Sequence, residues 1–191
     1  TVTAADGSGK QDTCEVTVNP VLVTGVTLDK SEISLTVGGT DTLSPTVSPE
    51  NATDPSVTWV SDNTDVATVD GGKITAVGVG EAKITVTAAD GSGKQAVCEV
   101  TVNPVLVTSV TLDKDAVTLL VGGTDILSAT VSPDTATNQS VTWVSDNTDV
   151  ATVDGGKITA VGVGEAKITV TAVDGSGKQA VCEVTVNPVL V

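Results

Sequence analysis

One period of 84 residues runs through this chain. The stretch Thr1–Val21 returns as Thr85–Val105 and again as Thr169–Val189, with few substitutions. Cys14, Cys98 and Cys182 fall at the same phase, as do Trp59 and Trp143, and Lys30 and Lys114. Such a period marks a stack of like units. Residues 23–106 and 107–191 read as two repeats, with 13 differences over 84 aligned positions. Residues 1–22 read as the closing hairpin of a preceding copy, so the chain is expected to be a window on a longer array. A unit of this size can bury its own core, with a thin margin.

Within a repeat the apolar residues alternate with period two, the signature of half-buried strands. Val26 and Leu28 begin the pattern, and Ile33, Leu35 and Val37 continue it. Leu43 and Val47 mark one strand, Val57 and Trp59 the next, then Val66 and Val69, then Ile74 and Val77. The closing pair is cleanest. Ala82, Ile84, Val86 and Ala88 face inward, then Ala96, Cys98, Val100 and Val102, with Lys83, Thr85, Thr87, Glu99 and Thr101 outward. Gly38-Gly39, Asp62-Asn63, Asp70-Gly71-Gly72 and Asp90-Gly91-Ser92-Gly93 supply the turns. Seven to eight short strands, and no helical periodicity, predict an all-β fold of tandem Ig-like antiparallel β-sandwiches. One Cys per repeat leaves no intradomain disulfide, so Cys14, Cys98 and Cys182 are assigned to the core beside Trp59 and Trp143.

The composition excludes several chemistries. The chain has no His, Tyr, Phe or Met, and its formal net charge is −15. A surface of that sign repels phosphate backbones and anionic lipid, so neither nucleic acid nor membrane is an expected partner. No apolar run approaches the roughly 20 residues that span a bilayer. A Ser or Cys nucleophile has no His to activate it. The Gly-rich turns join strands instead of opening helices, so they are turns and not phosphate loops. The inward positions carry no Lys for an isopeptide cross-link. No enzyme is expected.

The order of motifs resembles that of the bacterial immunoglobulin-like domain, group 2. The resemblance rests on Trp59-Val60-Ser61, Asn63, Val66-Ala67-Thr68-Val69, Gly72-Lys73-Ile74-Thr75-Ala76 and Gly80-Glu81-Ala82-Lys83-Ile84-Thr85-Val86. Val26-Thr27-Leu28, Leu35 and Gly38-Gly39-Thr40 match its opening, and Cys98-Glu99-Val100-Thr101-Val102 its close. The pattern recurs through Trp143, Val150, Gly156 and Gly164. It implies an Ig-like fold in tandem, as on bacterial adhesins, cell-wall proteins or phage virion proteins, and it carries no catalytic residues across.

Three kinds of site follow as expectations. No cofactor is required, and calcium is the one candidate. Asp41, Asp62 and Asp65 of one repeat are candidate ligands together with Asp134, Asp154 and Asp174 of the next, because calcium takes 6–8 oxygen ligands. The differences between repeats gather partly in the loop before the Trp strand, which makes Glu50, Asn51, Asp54 and Pro55 the candidate binding loop for a host surface ligand, protein or glycan. Asn51-Ala52-Thr53 and Asn138-Gln139-Ser140 match a glycosylation sequon, as turn-rich loops do by chance. Neighbouring repeats or copies of the same chain are the expected partners, and they complete the hairpin of residues 1–22. Asn103-Pro104 and Val105-Leu106-Val107 predict a semi-rigid junction between repeats. The expected role is a structural and display module, an extracellular stalk or fibre segment at the cell surface; the alternatives are an adhesive module and a phage virion decoration or tail protein.

Overall fold

The computed structural model describes residues 1–190; Val191, the last residue of the second repeat's span, lies outside them. The chain is built of strands, and no helix among the described residues is long and apolar enough to cross a membrane. A short hairpin, β1 (Val2–Thr3) with β2 (Gln11–Asp12), comes first. The first repeat supplies β3 (Gly25–Leu28), β4 (Glu32–Thr36), β5 (Thr40–Thr42), β6 (Pro45–Ser48), β7 (Val57–Ser61), β8 (Ala67–Asp70), β9 (Lys73–Ala76), β10 (Gly80–Ala88) and β11 (Gln95–Asn103). The second supplies β12 (Ser109–Leu112), β13 (Ala116–Leu120), β14 (Thr124–Ile126), β15 (Ala129–Ser132), β16 (Val141–Ser145), β17 (Ala151–Asp154), β18 (Lys157–Ala160), β19 (Gly164–Ala172) and β20 (Gln179–Asn187).

Each repeat forms the same three sheets. In the first they are the four-stranded β4-β11-β10-β7, the three-stranded β5-β9-β8 and the pair β3-β6. In the second they are β13-β20-β19-β16, β14-β18-β17 and β12-β15. The four-stranded sheet is one layer of the sandwich, and the two smaller sheets cover its two halves. In the second repeat Ile158 and Ala160 of β18 pack with Ile168, Cys182 and Val184, while Val110 of β12 packs with Val170 and Ala172. Trp143 and Leu112 border both clusters and join them.

The alternation of the closing strands is realised at every inward position except Ala96, which is half-buried. Ala82, Ile84, Val86, Cys98, Val100 and Val102 are buried, as are Ala166, Ile168, Val170, Cys182, Val184 and Val186. Burying one such Val or Ile stabilises the fold by about 1.5–3 kcal/mol relative to leaving it in water. All three cysteines are free thiols. Trp59 and Trp143 are half-buried, packed against these clusters at one edge of the core.

Four expectations need correction. The sandwich is antiparallel except for one pair, because β13 runs parallel to β20, from Ala116↔Glu183 to Leu120↔Asn187. In the first repeat the bonds from Glu99 N–H to Ser31 O and from Val37 N–H to Asn103 O hold β4 to β11 in the same direction. Leu43 and Val47 do not share a strand. Leu43 is buried between β5 and β6, where Ser44 N–H donates to the Asp29 carboxylate at 2.7 Å and the chain changes sheet. Val77 is 48% exposed, since the inward positions of β9 are Ile74 and Ala76 and Val77 already belongs to the turn. Cys14 is exposed, unlike Cys98 and Cys182, and the segment after β2 joins no sheet among the described residues.

Candidate interaction surfaces

The loop between β6 and β7 is held by its own frame. Ala52 is buried at its centre. Val21 N–H donates to Thr53 Oγ1 and Thr53 N–H donates to Val21 O, both at 2.9 Å. Asp54 Oδ1 accepts from Ser56 N–H at 3.0 Å and from the Ser56 hydroxyl, and that hydroxyl is the main reason its carboxyl lies below the usual carboxylate range. Glu50, Asn51, Asp54 and Pro55 are all exposed on this frame. The second repeat keeps the frame and changes its display. Asn138 replaces Asp54, yet its Oδ1 still accepts from Ser140 N–H at 3.0 Å. A turn of this kind needs only a short side-chain oxygen, not a charge. The remaining exchanges, Glu50 to Asp134, Asn51 to Thr135 and Pro55 to Gln139, alter exposed groups alone.

The last hairpin closes onto the start of its repeat. Val23 N–H donates to Asp90 Oδ2 and Val107 N–H to Asp174 Oδ2, each at 2.6 Å. Val23 and Val107 are themselves buried, at 2% exposure. The period-two reading missed both, because a single apolar residue ahead of a strand shows no alternation.

The carboxylates proposed as metal ligands are placed as follows. Asp41 is paired with Lys30 at 2.6 Å, and this ammonium is the chief cause of its lowered pKa, with Thr42 N–H second. Asp62 Oδ1 accepts from Lys83 N–H at 2.7 Å, close to the Gly78–Gly80 connection. Asp174 is engaged by Val107 and by Ser176 N–H. Asp65 and Asp134 are exposed turn residues, and Asp154 is the exposed last residue of β17, opposite Lys157. Among the described residues, no group of three or more His, Cys, Asp or Glu side chains is arranged to hold a metal ion.

Lys30 and Lys114 are the residues that sequence reasoning passed over. Each stands where the chain leaves one sheet for the other, between β3 and β4 or between β12 and β13. Lys114 Nζ reaches Asp125 at 2.7 Å and Ile126 O at 2.9 Å, so it clips this crossing to β14. Its recurrence at one phase was the available signal, but a Lys in a turn reads as solvent-facing. Burial raises the pKa of the Cys98 thiol, and the nearby Asp29 carboxylate adds to the effect. A core thiol of this kind is apolar filler and not a nucleophile.

This geometry defines a class: tandem immunoglobulin-like β-sandwiches that hold together by packing and side-chain clips, without disulfides. The chain belongs to the bacterial Ig-like domain (group 2) family, whose model matches residues 22–100 and 106–184. It is 41% identical over 172 residues to an uncharacterised protein of Clostridium acetobutylicum, a match covering 89% of this chain and 18% of that protein. It is 35% identical over 178 residues to an Ig-like virion protein of Serratia phage KSP90, covering 90% of this chain and 64% of that one. A minor capsid protein of enterobacteria phage T3 is 45% identical over 80 residues, covering 42% of this chain and 18% of the capsid protein. The chain thus spans less than two thirds of the length of each of these relatives.

Proposed function

We propose that this chain is a structural display segment carried outside the cell, on a bacterial surface or a virion, where its repeats hold other parts of an assembly at a set distance. The observation that carries this reading is the pattern of difference between the repeats. Residues 61–84 and 145–168 are identical, while exposed loop groups around Asp54 and Asn138 differ on an unchanged frame. A spacer is expected to keep its scaffold and let its surface drift.

A virion is favoured over a cell wall by the likeness to two relatives, an Ig-like virion protein and a minor capsid protein. An adhesive role is the second reading, supported by the gathering of exposed differences in two patches, at residues 31–36 and in the loop of residues 50–55. Antibodies against the chain, applied to producing cells and to purified phage particles under electron microscopy, separate these cases. Labelled particles are expected; labelled cell walls would move the role to a bacterial stalk. Labelling confined to the cytoplasm would sink the display reading altogether.

A further inference from the structure

We propose that the outer edge of β7, and of its counterpart β16, is a docking site for an extended basic segment of a partner protein, which joins the four-stranded sheet as a further strand. The inference does not depend on where the protein is carried. β7 and β16 are edge strands, paired on one side only, with β10 and β19. Asp62 N–H donates to Lys83 O at 3.1 Å and Ala89 N–H to Ser56 O at 2.9 Å. Residues bonded to a neighbouring strand alternate with those facing away from it. Ser56, Thr58, Val60 and Asp62 therefore direct their main-chain groups at β10, and Val57, Trp59 and Ser61 turn theirs outward. At Ser61 the chain is about to cross to β8, and the Ser61 hydroxyl donates to Ala67 O at 2.6 Å. The outward N–H and C=O groups of Val57 and Trp59 find no partner among the described residues.

Edge strands are commonly guarded by a Lys, a Pro, a bulge or a covering element. β5 and β14 have such a guard, because Lys30 and Lys114 clip them through Asp41 and Asp125. β7 and β16 have none within the strand: both read Val-Thr-Trp-Val-Ser, with no charge and no Pro. Their side chains suit a further strand on both faces. Val144, Thr169 and Val181 lie side by side across three strands, and the row stops at Val144, 61% exposed. A β-branched residue on an added strand continues that row, a kind of cross-strand pair that stabilises sheets. On the inner face the half-buried rings of Trp59 and Trp143 stand at the margin of the core, where an incoming apolar side chain covers them.

Charge decides which strand fits. Glu50 and Asp54 precede β7, Asp62 and Asp65 follow it, and all four are exposed. The ammonium on the neighbouring strand, that of Lys83, is already paired with Glu99 at 3.2 Å. A second copy laid antiparallel on this edge would set the Asp54 end of one strand against the Asp62 end of the other, acid against acid. Like charges opposed across a pair of strands are destabilising. A segment with Lys or Arg on either side of a β-branched run meets acids at both ends instead. Strand addition then gives affinity through the main chain and specificity through alternate side chains. Asn138 stands where Asp54 does, so the site on β16 is the less acidic and the weaker of the two.

The test titrates the full chain with a synthetic peptide of alternating Val and Thr that carries two lysines at each end. Trp59 and Trp143 are the only aromatic residues, so their fluorescence reports docking directly. A saturable blue shift is expected, weakened several-fold as added salt screens the charges. The same peptide ending in glutamates, or N-methylated at alternate amides, is expected to bind about tenfold more weakly or less. Val60→Lys with Val144→Lys, at exposed outer positions, is expected to abolish the shift. Val57→Pro with Val141→Pro removes an outward donor without touching a bond to β10, and should do the same in protein whose circular dichroism shows it folded. No shift up to millimolar peptide overturns the proposal, as does equal binding of the altered peptides or binding that survives both pairs of substitutions. A dimer of the chain itself, seen by light scattering and dissolved by Val60→Lys with Val144→Lys, would overturn the choice of partner.

Discussion

Gly72 and Gly156 sit in closely packed turns beside the tryptophan of their own repeat. Gly72 has φ +91°, and a Cβ there would meet Leu43 O at 2.6 Å and the Trp59 ring at 3.2 Å. Gly71 beside it has φ +55° and open space around the same position. Gly72→Ala is therefore expected to cost roughly 2–4 kcal/mol, from overpacking together with left-handed strain. Gly71→Ala should cost about 1–2 kcal/mol, from strain alone. Urea unfolding of both variants checks this, and equal costs would remove the Trp contact from the account. The Lys30–Asp41 and Lys114–Asp125 pairs set a pH dependence. The folded carboxyl is lowered below its unfolded value. Its stabilisation is thus fully present above about pH 4 and is lost as pH falls through the folded value. The lysines are raised, so their part is present below about pH 10.4 and is lost as pH rises through the folded value. Doubly substituted Asp41→Asn, Asp125→Asn protein should show a flatter acid limb in its melting temperature; an unchanged limb would assign acid loss to other carboxylates.

At the scale of elements, what the sequence revealed follows from how two-sided each strand is. β10 and β11 place one face in the core and the other in water, so their alternation names every buried residue from Ala82 to Val102. Leu43 and Val77 escaped because they sit where the chain leaves a sheet, and burial there depends on what lies across the turn. The parallel partnership of β13 and β20 has no local signature at all. Its two strands lie far apart in sequence, and each looks alike whichever way its neighbour runs. The candidate loop was legible in part. Its exposed variation could be read from Asn51/Thr135 and Pro55/Gln139, while its anchors, Ala52 and the Val21–Thr53 bonds, could not. The shared role of Asp54 and Asn138 emerges only once both oxygens are seen accepting the same kind of N–H.

For the whole molecule, charge and repetition act together. A net charge of −15 opposes the association of separate copies in solution, which matters because like sequences are prone to exchange strands. One feature bears on how such a chain behaves under tension. β13, which follows the short first strand β12, and β20, the last strand of the repeat, lie side by side in parallel, from Ala116↔Glu183 to Leu120↔Asn187. Pulling on the two ends of the repeat drags these strands past each other lengthwise. The hydrogen bonds between them, flanked by those from Glu183 N–H to Asp115 O and from Val121 N–H to Asn187 O, are then loaded together in shear and not opened one by one like a zip. Proline at Thr185 would take a donor out of that ladder. Single-molecule stretching should show the unfolding force of the second repeat fall in such a variant, while the first repeat keeps its own. Equal forces in both would mean that the load passes elsewhere. A repeat built this way resists being drawn out by its ends, a property that calorimetry alone would not reveal.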